Sequence, residues 1–158
     1  TPLQIANLGA TIANRGYFIT PHVVKEVEDM PQDSIYSTRR YTKVRKEHYE
    51  TVVQGMRAAV TGGTCRAANI PGLDVCGKTG TAQNRGKDHS AFMGFAPMNN
   101  PQIAVAVYVE NGGWGATYGV PIGALIMEKY LKGTLSPESE VTARDIQMRR
   151  IDYGVHER

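Results

Sequence analysis

Residues 75–84 read Val-Cys-Gly-Lys-Thr-Gly-Thr-Ala-Gln-Asn, a short apolar stretch that runs into a Lys-Thr-Gly-Thr tetrapeptide. Lys78 carries a positive charge, and the hydroxyls of Thr79 and Thr81 can donate hydrogen bonds. Gly80 has no side chain that would obstruct a ligand approaching the backbone. A positive charge, hydroxyl donors and an open backbone suit acyl-transfer chemistry. The tetrapeptide therefore predicts one part of a catalytic or binding site.

The ordinary alternative for this tetrapeptide is a strand end that contains a flexible glycine. A given tetrapeptide occurs by chance in about one of a thousand chains of this length. The flanking sequence favours a site, because the tetrapeptide ends a predicted strand that is followed by a β-hairpin and a helix.

Hydrophobic spacing outlines the elements around the tetrapeptide. Thr1, Pro2 and Gln4 have the pattern of a capping box, and the apolar residues after them predict a helix that is buried on most faces. Spacings of three and four residues predict two more helices, so that the three cover residues 3–13, 47–60 and 120–131. Alternating or β-branched runs predict strands over residues 17–19, 23–27, 73–82, 91–96 and 103–109, with a loop over residues 29–46.

This order of elements predicts an α+β fold in which helices flank an antiparallel three-stranded sheet. The sequence becomes polar and charged near its end, so we expect residues 133–158 to form a charged C-terminal tail or a loosely docked helix.

Composition excludes several classes of function. The 158 residues carry a net charge of +3 with 41% hydrophobic content, and no basic run is interleaved with aromatics, so nucleic acid is not an expected partner. No apolar run approaches the roughly 18 residues of a membrane span.

Cys65 and Cys76 lack neighbours at metal-ligand spacing, so we expect no metal, nucleotide or redox cofactor. The sequence leaves open whether the two cysteines form a disulfide or are two buried free thiols.

Several blocks of the sequence, in the same order along the chain, resemble the class B penicillin-binding proteins, in particular their penicillin-binding protein 2 group. The blocks are residues 1–6, 55–57, 63–64, 78–83, 88–90, 94–106 and 110–113. The resemblance covers about residues 1–132, which would be the C-terminal part of a transpeptidase domain that binds penicillin. The absence of an initial Met agrees with a piece of a longer protein.

The resemblance implies a peptidoglycan D,D-transpeptidase of cell elongation and cell shape. In that family a Ser of a Ser-x-x-Lys motif attacks a D-Ala-D-Ala stem peptide, the acyl-enzyme is resolved as a cross-link, and β-lactam antibiotics trap the same serine. It also implies a lipid II polymerase as partner and a place on the periplasmic face of the cytoplasmic membrane, held by an N-terminal anchor absent from this sequence.

By the same resemblance, each residue of the tetrapeptide has an expected role. Lys78 supplies positive potential, and the hydroxyls of Thr79 and Thr81 bind the terminal carboxylate of the donor peptide or drug. Gly80 lets the donor lie along the strand. The N–H of Thr81 is one oxyanion-hole donor, so Lys78 and Thr81 are the predicted catalytic residues of this chain.

The nucleophilic half of this machinery is missing from the sequence. None of the serines begins a Ser-x-x-Lys or a Ser-x-Asn motif; they are Ser34, Ser37, Ser90, Ser136 and Ser139. We therefore expect the chain alone not to acylate. The resemblance also implies that the strand over residues 103–109 pairs with an N-terminal strand that this sequence lacks, so we expect the chain to self-associate through an open apolar edge.

Two other functions remain open from the sequence. A β-lactamase or β-lactam sensor shares the tetrapeptide and the fold, and a non-catalytic binding module needs no serine at all. Trp114, in a glycine-rich loop, is equally compatible with contact to a substrate and with a cap on the core.

Overall fold

A computed structural model of the chain describes residues 1–31, 33–151 and 153. Within them the helices are α1 (Pro2–Ala13), α2 (Lys46–Thr61), α3 (Gly119–Lys132) and α4 (Pro137–Met148). The strands are β1 (Tyr17–Phe18), β2 (Arg40–Tyr41), β3 (Cys76–Ala82), β4 (His89–Ala96) and β5 (Ile103–Val109). The predicted α+β fold is confirmed, since β3, β4 and β5 form an antiparallel three-stranded sheet in that order.

The central sheet is covered by helices on both faces. Cys76 pairs with Phe95 across β3 and β4, and both side chains pack with residues of α1 and α2. Phe92 faces the other way and packs with residues of α3. Side chains alternate along a strand, so successive side chains of β3 point in turn to the face covered by α1 and α2 and to the face covered by α3. The tetrapeptide therefore lies on an outer strand between two packed layers.

Helix α1 begins as predicted but is less buried than predicted. The Thr1 hydroxyl accepts from the Gln4 N–H at 3.3 Å, and the Thr1 ammonium donates to the Gln4 side chain at 2.7 Å, which completes the capping box. Leu3 and Leu8, however, are 58% and 52% exposed. The expectation of burial on most faces is wrong for the described residues, because only one side of the helix contacts the sheet.

The segment between α1 and α2 differs most from the prediction. The predicted strand over residues 23–27 is absent apart from a single bridge between Val27 and Met30, and Val23 is 98% exposed. The predicted loop contains a short 3₁₀ turn at Ser34–Tyr36 and strand β2, while residue 32 lies outside the described residues. An apolar run forms a strand only where another strand pairs with it.

Both cysteines are free and buried, which confirms the interpretation as two unpaired thiols. Cys76 packs on the α1 and α2 side of the sheet, whereas Cys65 belongs to the cluster beneath α3. Burial raises the pKa of Cys76 to about 11. The thiol therefore stays protonated at neutral pH and behaves as a small apolar side chain.

The segment that we expected to be a tail or a docked helix contains the 12-residue helix α4, and residues 152 and 154–158 lie outside the described residues. The N-cap of α4 is Ser136, and the carboxylate of Glu128 on α3 is fully buried. Lys132 donates to Glu128 Oε1 at 3.2 Å. Burial raises the pKa of Glu128, but the nearby Ser139, Lys132 and Ser136 together outweigh it and leave the pKa lowered. Lys132 is the residue that hydrogen-bonds this carboxylate, and Glu128 Oε2 is buried without a hydrogen-bond partner among the described residues. The ionised carboxylate of α3 thus lies beside the first turn of α4.

Replacing this carboxylate with an amide tests its contribution. We expect Glu128→Gln to lower the free energy of unfolding by about 1–3 kcal/mol at neutral pH, because a charged hydrogen-bond acceptor is lost from a buried position. A carboxyl group with a lowered pKa stabilises the fold above its ordinary pKa, and this contribution is lost as the pH falls through the lowered value. The difference between the variant and the wild-type chain in urea unfolding should therefore shrink on acidification.

The matched control is Glu140→Gln, on α4. Glu140 is exposed and lies 3.9 Å from Arg144, so its removal should change the unfolding free energy by less than about 0.5 kcal/mol. Equal effects of the two substitutions would contradict a stabilising role of Glu128.

Candidate active site

The Lys-Thr-Gly-Thr tetrapeptide lies on β3, which is an outer strand of the sheet. One edge of β3 pairs with β4, and no backbone–backbone hydrogen bond reaches the other edge from elsewhere in the described residues. Lys78 and Thr81 are exposed, while Thr79 and Gly80 are half-buried. The structure thus presents the four predicted site residues on one open strand edge. An open edge can accept an extended peptide as an additional strand.

The tetrapeptide side chains divide between the two faces of the sheet. Thr79 pairs with Phe92 and Thr81 with Ser90, so both hydroxyls lie on the α3 face. Lys78 pairs with Met93 on the face of α1 and α2. The Lys78 ammonium donates to the Thr79 carbonyl at 2.7 Å, so the charge remains next to the hydroxyl-bearing residue.

Lys78 lines a cavity of about 640 Å³ on the α1 and α2 face. Most of its walls are apolar; they come from Ile12, Val52, Gly55, Met56, Ala59, Gly63, Thr64 and Met93. Among the described residues that line the cavity, Lys78 alone is charged.

Thr64 is a site residue whose contact the sequence did not predict. Its hydroxyl oxygen lies 2.9 Å from that of Thr79, 15 residues further along the chain. Thr64 follows the turn that ends α2, where a Cβ on Gly63 would lie 2.8 Å from the Ala59 Cα. That tight turn brings Thr64 to the edge of β3. The only signal in the sequence was a hydroxyl residue directly after two glycines.

Cys65 lies directly behind this pair of hydroxyls. Burial raises the pKa of its thiol, and the opposing effects of Thr64, Thr79 and the Lys78 charge do not offset the burial. The thiol is therefore protonated at neutral pH and unsuited to nucleophilic attack.

The loop between β5 and α3 packs against the tetrapeptide at Gly80. A Cβ on Gly115 would lie 2.6 Å from the Gly80 carbonyl oxygen and 2.5 Å from that of Ala91, so only glycine fits there. Ser90 is fully buried; its Oγ donates to the Trp114 carbonyl at 2.8 Å and accepts from the Gly119 N–H at 3.0 Å. With both functions of its hydroxyl engaged, Ser90 fixes the loop and is not available as a nucleophile.

Trp114 does not cap the core. Its side chain is 76% exposed, so of the two interpretations left open by the sequence the structure excludes the cap.

Among the described residues there is no group of three or more His, Cys, Asp or Glu side chains arranged to hold a metal ion. A search of the same residues found no helix that is both long enough and apolar enough to span a membrane.

Comparison with known proteins gives one family. Residues 1–131 match the family model for the penicillin binding protein transpeptidase domain. Over 151 aligned residues the chain is 33% identical to the peptidoglycan D,D-transpeptidase PbpA of Mycobacterium tuberculosis, with 84% of this chain and 30% of that protein covered.

Solved structures of penicillin-binding proteins are similar in fold to this chain. The structure of penicillin-binding protein 2 from Pseudomonas aeruginosa gives a TM-score of 0.71 at 40% identity and covers 87% of this chain and 31% of that one. A penicillin G acyl-enzyme complex of penicillin-binding protein A from M. tuberculosis gives 0.68 at 30% identity, covering 83% and 32%. The chain spans about a third of the length of the proteins that it matches.

The hydroxyl of Ser90 offers a test of the loop geometry. We expect Ser90→Ala to lower the free energy of unfolding by about 1–3 kcal/mol, because the buried Gly119 N–H loses its partner and the Trp114 carbonyl keeps only the Thr117 N–H as a donor. The loop should also become more mobile, which lowers the fluorescence anisotropy of Trp114, the single Trp of the chain. In the control Ser37→Ala, an exposed hydroxyl is lost from a short turn, and neither quantity should change measurably. Unchanged anisotropy in Ser90→Ala would contradict the proposed fixation of the loop.

Proposed function

Because the chain belongs to the penicillin binding protein transpeptidase domain family, we propose that it forms one side of the active site of a peptidoglycan D,D-transpeptidase of the penicillin-binding protein 2 type. The observation that carries this proposal is the Lys78–Thr81 tetrapeptide on an open strand edge, with the Thr79 hydroxyl held by Thr64. The substrate class is the D-Ala-D-Ala end of a peptidoglycan stem peptide. β-Lactam antibiotics bind the same surface.

The open edge of β3 explains how a donor peptide is bound. An extended D-Ala-D-Ala end pairs with the backbone of β3, and the absence of a side chain at Gly80 lets it approach closely. Thr79 and Thr81 donate hydrogen bonds to the terminal carboxylate, and Lys78 contributes positive potential. Hydrogen bonds to a charged group contribute about 1.5–3 kcal/mol each. Thr64 acts indirectly, by fixing the rotamer of Thr79.

The reaction proceeds in two acyl transfers. The oxygen of a serine attacks the carbonyl of the penultimate D-Ala, the C–N bond breaks, and the terminal D-Ala leaves with a proton on its amine. An amine of a second stem peptide then attacks the ester, which forms the cross-link and returns the serine hydroxyl. The Thr81 N–H stabilises the oxyanion in both steps, a contribution whose loss typically costs about a hundredfold or more in rate.

The serine of this reaction comes from a part of the protein outside these residues. The sequence contains no Ser-x-x-Lys motif, and Ser90, the serine on β4, is engaged in the fold. We place the reaction on the periplasmic face of the cytoplasmic membrane, where peptidoglycan is built, with an anchor outside this chain. The polymerase that uses lipid II in cell elongation is the partner that would supply the glycan strands.

Labelling with fluorescent penicillin tests the function. The complete protein that contains this chain should form a covalent adduct that persists for minutes, whereas residues 1–158 alone should not be labelled. Thr79→Val in the complete protein should lower the second-order rate of labelling about 10- to 100-fold, because one hydrogen bond to the carboxylate is lost. Thr61→Val, at the exposed end of α2, is the matched control and should label at the wild-type rate.

Four results would contradict this proposal. Labelling of the 158-residue chain would mean that a nucleophile lies within it. Rapid loss of the label by hydrolysis would favour a β-lactamase, and a β-lactam sensor would retain the label without cross-linking stem peptides. No labelling of the complete protein would favour a non-catalytic binding module.

We also propose that the isolated chain self-associates through β5. This strand is the other outer strand of the sheet, and within the described residues no strand pairs with its free edge. An unpaired apolar edge is a template for pairing with a second copy. Light scattering of the 158-residue chain should therefore detect a dimer or a larger species.

A lysine on the edge strand should weaken this association, because a charge on an edge strand opposes pairing. Tyr108→Lys on β5 is the test, and Tyr130→Lys on α3 is the matched control, since both tyrosines are exposed. A monomeric wild-type chain, or equal effects of the two lysines, would contradict pairing through β5.

A further inference from the structure

Trp114 is an exposed aromatic residue on a backbone that is fixed on both sides. Gly113 has a φ of +73°, a conformation that favours glycine, and its N–H donates to the Asp88 carbonyl at 2.8 Å. On the other side, Gly115 fits against the backbone of Gly80 only because it lacks a side chain. The Trp114 carbonyl accepts from both the Ser90 hydroxyl and the Thr117 N–H, each at 2.8 Å.

More hydrogen bonds tie the same loop to the β3–β4 hairpin. The Asn111 N–H donates to His89 Nδ1 at 3.0 Å, and the Asn84 side chain donates to the Asn111 side-chain oxygen at 3.2 Å. The large apolar ring of Trp114 is nonetheless 76% exposed. A loop that is held this firmly and yet leaves an indole in solvent has the properties of a preformed contact surface.

The location of Trp114 is next to the C-terminal end of the tetrapeptide. Thr81 pairs with Ser90 across the two strands, and the Ser90 hydroxyl is bonded directly to the Trp114 carbonyl. In the proposed binding mode the carboxylate lies at the Thr79 and Thr81 hydroxyls and the reacting carbonyl at the Thr81 N–H. The acyl portion of the ligand therefore continues past Thr81, toward the loop that carries Trp114.

We propose that Trp114 is a specificity-determining residue, whose indole contacts an apolar group on the acyl side of the ligand. This inference rests on the proposed transpeptidase function and adds to it the chemistry that the site prefers. A rigid aromatic ring binds apolar and aromatic groups at little cost in conformational entropy. The preferred ligands carry such a group on the acyl side, and ligands without it lose the contact but keep the carboxylate site.

The test compares two penicillins that differ only on the acyl side. Benzylpenicillin carries a phenylacetyl group there, and 6-aminopenicillanic acid carries only an amine. We expect Trp114→Ala in the complete protein to lower the second-order acylation rate constant for benzylpenicillin about five- to tenfold, as loss of an aromatic contact implies. The rate constant for 6-aminopenicillanic acid should change less than about twofold, and Trp114→Phe should restore most of the rate with benzylpenicillin.

The matched control is Tyr130→Ala. Tyr130 is also a largely exposed aromatic residue, but it lies on α3, 11 positions after Gly119, which is about 16 Å further along the helix axis. Its removal should leave both rate constants unchanged.

The possible outcomes distinguish a failure of this inference from a failure of the proposed function. If benzylpenicillin fails to acylate the wild-type protein, the proposed function is wrong. If the wild-type protein is acylated but Trp114→Ala lowers both rate constants equally, Trp114 only supports the loop and the inference is overturned. No change with either penicillin overturns it as well.

A second measurement needs no alanine variant. The complete protein is labelled with 5-fluorotryptophan, and the ¹⁹F resonance of Trp114 is assigned as the one that disappears in Trp114→Phe. Benzylpenicillin should shift this resonance, whereas 6-aminopenicillanic acid should leave it near its free position. A resonance that responds to neither compound would overturn the contact.

Discussion

The ring of Phe92 occupies a hollow that is bounded by glycines on two strands and a helix. A Cβ on Gly77 would lie 2.6 Å from one ring carbon of Phe92, and a Cβ on Gly94 would lie 2.6 Å from another. On α3, a Cβ on Gly119 would lie 3.0 Å from the Phe92 Cβ, and one on Gly123 would overlap the ring. The ring thus lies over a pair of cross-strand glycines and beneath a helix, so it fixes β3, β4 and α3 relative to one another. The tetrapeptide begins one residue after Gly77, which makes its position depend on this packing.

An outer strand is an unusual place for a rigid site, because one side of its backbone lacks a neighbouring strand. Such edges are a hazard in a soluble protein, and here the edge of β3 carries the exposed Lys78 and Thr81. The same open edge is what an extended peptide requires for strand addition. The edge of β3 remains open, and the strand is held in place from its two faces and by the loop after β5.

The elements that local sequence patterns define could be predicted, and those that depend on distant partners could not. β5 was predicted over residues 103–109, where it is observed, because its apolar run lies between clear turn signals. The same reasoning failed for residues 23–27, which contain three valines but have no strand to pair with among the described residues. The contact between Thr64 and Thr79 joins residues 15 positions apart through a turn, and no local pattern indicates it. The position of Trp114 was not predicted either, because its carbonyl is bound by the Ser90 hydroxyl, 24 positions earlier on β4. The roles of Lys78, Thr79, Gly80 and Thr81 and the boundary near residue 132 stay predictions.

Consecutive residues of the tetrapeptide are supported by separate parts of the fold. The hydroxyl of Thr79 is fixed by Thr64 at the end of α2, and the backbone of Gly80 is covered by Gly115 of the loop. Thr81 is paired with Ser90, whose hydroxyl also fixes that loop. Hydrogen-bond donors accelerate a reaction only to the extent that they are already oriented toward the developing charge. These contacts cost the protein little stability, because the hydroxyls of Thr64, Thr79 and Ser90 all have hydrogen-bond partners. They also hold the end of β3 in an ordered conformation. The tetrapeptide is therefore not a self-sufficient motif: its geometry is set by a helix end, a loop and a neighbouring strand that are far apart in the sequence.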